Sequence, residues 1–137
     1  KMKKLVLLTT FVLGLVFVAK SQVAVESGNP GTMAKFKWEA KTHDFAKIEQ
    51  GSPVSHEFAF TNTGTTPLVI SNVRGSCGCT VTSYTKEPIA PGKTGNVKAT
   101  FNAAAIGAFS KSIRVTANVE GANETLFIKG EVVKKSL

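Results

Sequence analysis

From Phe36 onward the apolar residues of this chain recur at every second position, in short runs cut by turn-forming residues. No stretch shows the three-to-four spacing of an amphipathic helix. Phe36, Trp38 and Ala40 alternate with Lys37, Glu39 and Lys41, and His43–Ile48 continues that strand after a bend. Val54, His56, Phe58 and Phe60 share one face of a second strand. Leu68–Val73 is apolar on both sides, which predicts a third strand in the middle of a sheet. Thr80–Tyr84 is a fourth. Val97, Ala99 and Phe101 mark a fifth, Phe109, Ile113, Val115 and Ala117 a sixth, and Leu126–Val132 is the seventh. Between them lie Glu49–Pro53, Asn62–Pro67, Pro88–Lys93 and Glu120–Asn123, rich in the Gly, Pro and Asn that reverse a chain. Ala103–Ala105 reads as a single helical turn. About seven short antiparallel strands in one domain predict an all-β, two-sheet sandwich.

A sandwich core is filled by the inward residues of both sheets. Trp38, Phe58, Phe60, Leu68, Ile70, Val97, Phe101, Ile113, Val115 and Ile128 are the expected interior. A cystine between the sheets is excluded, because the two cysteines, Cys77 and Cys79, flank a single residue.

The N-terminal segment has a different logic. Lys1, Lys3 and Lys4 precede an apolar run, Leu5–Val18, and Ala19-Lys20-Ser21 puts small residues before Gln22. This is the layout of a secretory signal peptide. The run is shorter than the roughly 20 residues a spanning helix needs, so cleavage is expected rather than anchoring, with no membrane span left in the mature protein. The expected organisation is a signal peptide at 1–21, a flexible leader at 22–35, the sandwich at 36–133 and a tail at 134–137. Four of the lysines leave with the signal, which takes the formal net charge from +8 to +4. The remaining basic residues are scattered, with no basic block and no basic–aromatic interleaving, so nucleic-acid binding is not indicated. The expected destination is the periplasm or the cell exterior.

His43-Asp44-Phe45, Gly51, Phe58–Gly64, Pro67–Ile70, Ser76-Cys77-Gly78-Cys79-Thr80, Pro88–Gly92 and Phe101-Asn102, in this order, resemble a bacterial exported family filed as domain of unknown function 1573. That family is similar to the immunoglobulin-like domains of the major sperm protein and of Hydin-type ciliary proteins. The resemblance runs from Trp38 to about Val133 and implies an immunoglobulin-like fold and export, with no settled activity. Ala46 stands where such sequences carry glycine, so a positive φ there would leave it mildly strained.

Enzyme signatures are sparse. His56-Glu57 opens like a zinc-protease motif, but Phe60 takes the place of the second histidine and the run alternates as a strand. There is no nucleophile elbow and no phosphate loop. Asp44 is the only aspartate. His43 beside Asp44 can be an oriented imidazole or a polar residue at a strand bend; His56 can be a ligand or a boundary histidine. The unusual chemistry is Cys77-Gly78-Cys79. Residues two apart on extended chain face the same way, so both sulfurs can meet one metal ion or each other, with Gly78 free to adopt a positive φ. A structural disulfide, a copper(I) site, a redox-active dithiol and a pair of free, packed thiols all fit. A closed zinc site needs more ligands, which would have to come from His43, His56 or Met33. The expected function is a non-enzymatic, exported module with no cofactor that binds a protein or a cell-envelope component. The alternative is a copper-handling or thiol-redox protein using Cys77 and Cys79.

Overall fold

The computed structural model describes residues 33–137; the expected signal peptide, its cleavage point and most of the leader lie outside the described residues. Eight strands follow one another: β1 (Phe36–Trp38), β2 (Thr42–Glu49), β3 (Val54–Asn62), β4 (Ile70–Gly75), β5 (Thr80–Tyr84), β6 (Thr94–Phe101), β7 (Gly107–Ala117) and β8 (Asn123–Val133). They form two four-stranded sheets, ordered β1-β3-β6-β5 and β2-β8-β7-β4. The fold is an immunoglobulin-like β-sandwich.

Three expectations change. The first predicted strand is two, because the bend at Glu39–Lys41 carries the chain across the sandwich: β1 pairs with β3 in one sheet and β2 with β8 in the other. β2 runs parallel to β8, so the sandwich is not wholly antiparallel. The apolar run Leu68–Val73 is not central, since among the described residues β4 is an edge strand paired with β7 alone. Its two-sided apolarity has a local cause. Leu68 bridges to Ile89 outside the strand, and a register shift between Ile70 and Asn72 lets both Ile70 and Val73 point inward.

Nine of the ten expected interior residues are buried; Trp38 is half-buried, and its indole N–H lies buried without a partner among the described residues. Leu126, Val132, Ile89 and Ala99 are among the further members of the core. Ala34, expected in the leader, is fully buried and bridges to Val119. Ala46 does take a left-handed φ of 57°, at a bulge between Asp44 and Lys47, where the Asp44 carboxylate accepts a hydrogen bond from Ala46 N–H at 2.8 Å. Ala103–Ala105 is not helical: Ala103 is fully buried with φ 52°, a conformation that ends a helical turn rather than forming one.

One end of the sandwich closes around Asn62. Its amide donates to the carbonyls of Thr66 and Ile89 at 2.8 and 2.9 Å, and its side-chain oxygen accepts from Gly64 and Lys35 N–H at 2.9 and 3.3 Å. Fully buried, Asn62 thus ties β1, β3 and two loops together with its amide satisfied. Gly64 is there for closeness rather than positive φ, since a Cβ would overlap the backbone of Met33–Lys35.

Candidate functional site

The opposite end carries the cysteines. The loop between β4 and β5 is tied at both flanks: Ser76 N–H donates to Ser112 C=O at 2.9 Å, Ser112 N–H donates to Ser76 Oγ at 3.2 Å, and Asn102 N–H donates to Cys79 C=O at 3.1 Å. Within it Thr80 N–H donates to Cys77 C=O at 3.3 Å. The turn brings the two Cα atoms to 5.3 Å, inside the range a disulfide requires, and the sulfurs of Cys77 and Cys79 pair. Gly78 does not adopt the positive φ expected of it, and no atom of the described residues lies within 4 Å of where its Cβ would sit. It leaves the outer side of the loop open. Cys77 and Cys79 are both half-buried, with Cys79 packed against the core and Cys77 Sγ 3.8 Å from the Thr80 hydroxyl.

Beside Cys79 a cavity of about 180 Å³ opens between the β6–β7 loop and the start of β7. Phe101 and Phe109, stacked at 4.1 Å, form part of its wall with Ile106 and Lys111. Ile106 is 57% exposed. The cavity was not legible in the sequence, because it depends on how two loops meet.

The histidines go elsewhere. His43 on β2 and His56 on β3 stack face to face at 3.7 Å across the seam of the two sheets, edge-on to Phe45 and Phe58. Burial lowers the pKa of His56, the charge of His43 lowers it further, and Glu57 opposes both. Among the described residues no three His, Cys, Asp or Glu side chains converge on one point, and the histidines pair with each other instead of supplying a third ligand to the cysteines.

A third feature lies on the outer face of the β2-β8-β7-β4 sheet. Arg74 and Arg114, the only arginines, lie in register on β4 and β7 and share the outer face of their sheet. With Ser76 and Ser112 they line a shallow cavity of about 220 Å³. Like charges directly opposite each other repel, and the ion pairs of the described residues, Lys41–Glu124 and Lys129–Asp44, involve neither arginine. Phe127 stands on the same face opposite Ser112, 42% exposed. Forty residues separate the two arginines in sequence, so only strand register could reveal the pair.

A family profile described as protein of unknown function, DUF1573, matches residues 36–132. The chain belongs to that family. No curated protein matches it by sequence. Among solved structures, this DUF1573 domain is similar to a Porphyromonas gingivalis W83 protein of unknown function, with a TM-score of 0.67 at 12% identity over 80% of this chain and 51% of that one. The chain therefore spans about half the length of that protein. It is also similar to the ASH/PapD-like domain 7 of human CEP192, with a TM-score of 0.61 at 13% identity over 86% of this chain and 97% of that one. The VesB protease of Vibrio cholerae matches with a TM-score of 0.60 at 17% identity, over 71% of this chain and 32% of the protease. At these identities the likeness is one of fold.

Proposed function

We propose that this DUF1573 protein is an exported, non-enzymatic binding module of the bacterial cell envelope that docks a partner protein bearing clustered carboxylates on the outer face of the β2-β8-β7-β4 sheet. The observation that carries the reading is the register pairing of Arg74 with Arg114 beside the exposed ring of Phe127. Two guanidinium groups held side by side repel until an oxyanion bridges them, and guanidinium matches carboxylate with paired hydrogen bonds. Ser76 and Ser112 add hydroxyls at the rim, and Phe127 adds an apolar anchor of the kind that concentrates binding energy. The signal-like N-terminus supports export.

A photo-crosslinking residue at position 127, in protein expressed in the native host, tests the reading. The comparison position is Val81, 68% exposed on β5 in the other sheet. We expect a discrete adduct from position 127 that disappears when Arg74→Glu and Arg114→Glu are combined. Adducts indifferent to the charge reversal, equal at both positions, or absent would overturn it. Intact mass of the same protein checks export: a mature N-terminus at Gln22 is expected, and retention of Leu5–Val18 would replace the exported module by an anchored one.

A further inference from the structure

We infer that the Cys77–Cys79 pair and the cavity beside it form a thiol–disulfide exchange site that oxidises paired cysteines in an extended, apolar segment of another polypeptide. This adds a redox activity to the binding role and does not rest on the sheet-face reading: the two share only Ser76 and Ser112, here as tethers of the loop, and the exchange site stands if that face binds nothing.

The first argument is that the cystine is not there for stability. It closes a loop around one residue, and the chain entropy removed by so short a closure is small. The core is built from both sheets, with neither cysteine among its fully buried members. The second argument is that the site is prepared for opening and closing. Bonds from Ser76 to Ser112 on one flank and from Asn102 to Cys79 on the other hold the loop by its backbone, so cleaving the S–S bond leaves the two sulfurs where they can close again.

The third argument is the asymmetry of the two sulfurs. Cys79 lines the cavity together with Phe101, Ile106, Phe109 and Lys111, a mostly apolar seat with one cation. An incoming thiolate is drawn by the Lys111 ammonium while an apolar neighbour in its own chain fills the seat. Cys77 faces the Thr80 hydroxyl at 3.8 Å, which can donate to a departing thiolate.

The step follows from these positions. A thiolate of the partner attacks Cys79 Sγ; the Cys77–Cys79 bond breaks as a mixed disulfide forms, and Cys77 leaves as a thiolate beside Thr80. The partner's second cysteine, as thiolate, attacks its own sulfur in the mixed disulfide, and Cys79 leaves as a thiolate. The protons lost by the partner's two thiols end on Cys77 and Cys79. Two electrons pass from partner to protein, leaving the partner disulfide-bonded and the protein a dithiol. Reverse exchange with a second, more oxidising protein disulfide restores the cystine.

The test uses the oxidised mature protein and a synthetic dithiol peptide with leucines beside its cysteines. The reference is the excised peptide Ser76–Thr80 in its own disulfide form. We expect the folded protein to exchange about tenfold faster or more than the excised peptide, and Lys111→Glu to lose most of that advantage at an unchanged melting temperature. Ile106→Asp, at an exposed position, should erase the preference for leucine-flanked over aspartate-flanked peptides. A version of the peptide with one cysteine cannot resolve the mixed disulfide, and its acid-quenched adducts with the oxidised protein should map to Cys79 by mass spectrometry. Exchange no faster than the excised peptide, a rate indifferent to Lys111→Glu, or adducts mapping to Cys77 would overturn the proposal and leave an inert cystine.

Discussion

The two ends of the sandwich solve the same problem in opposite ways. At the Asn62 end, the turn following Asn62, the Pro88–Lys93 turn and the residues leading into β1 meet over a fully buried amide whose hydrogen bonds are all made within the protein. Gly64 lets the backbones approach, and Ala34 and Leu68 seal the joint. At the cysteine end the loops meet over a cavity, Ile106 stands exposed, and the side-chain bridge is a pair of half-buried sulfurs. A buried polar group is costly to leave unpaired, so it specifies one arrangement of its neighbours. A cavity lined by loops does not. The first end is built to be unique and the second leaves room for another molecule.

The largest effect should be the one the two ends share, the loss of core volume. Phe101→Ala, at the cysteine end, is expected to cost about 3–5 kcal/mol in chemical denaturation. Phe101 is buried and stacked on Phe109, so a cost under about 1 kcal/mol would mean that this end lacks a packed core and that the contrast runs deeper than its loops.

Next comes the joint that only the first end has. Asn62→Ala removes the partner of the Lys35 and Gly64 N–H groups and of the Thr66 carbonyl, leaves the Ile89 carbonyl with Leu68 N–H alone, and should cost about 2–4 kcal/mol, with faster amide hydrogen exchange at Lys35 and Gly64. Uniform exchange protection in the variant would break the claim that Asn62 organises that end.

The counterpart at the other end should be small. Replacing Cys77 and Cys79 together by serine is expected to cost about 1 kcal/mol or less, read as a shift of a few degrees in melting temperature at most. A cost equal to that of Asn62→Ala would make the cystine a structural joint and erase the comparison.

The smallest effect concerns the seam between the ends. With its folded pKa lowered, chiefly by burial, His56 takes up a proton in the unfolded chain near pH 6.5 before it does so in the fold. Its contribution to stability is therefore complete above pH 6.5 and is lost as pH falls from there through the folded pKa. The group facing it across the seam is His43, whose charge works in the same direction; Glu57, the next residue on its own strand, opposes. A melting temperature that declines between pH 7 and pH 5, with the decline reduced in His56→Gln, is the expected result. An equal decline in the variant would assign the pH dependence to other groups.

Much of this was legible in the chain itself. Period-two alternation and spaced turn residues determine strands rather than helices. Those strands are apolar on one face, which obliges two sheets to cover each other. Thus the alternation alone puts Phe58, Phe60, Val97, Phe101 and Val115 inside, where they are buried. The spacing of Cys77 and Cys79 likewise determined that the sulfurs would be neighbours. What the chain alone could not decide was pairing between distant segments. The sheet to which β2 belongs, its parallel course beside β8 and the edge position of β4 depend on where a bend and a bulge send the backbone. Sequence periodicity reports which face of a strand is buried, but not against which strand. Arg74 meets Arg114, His43 meets His56, and Lys111 shares a cavity with Cys79 through such pairings and loop contacts. Local propensity acts over a few residues, whereas register is set by the packing of the whole sandwich, so these juxtapositions exist only in the tertiary structure.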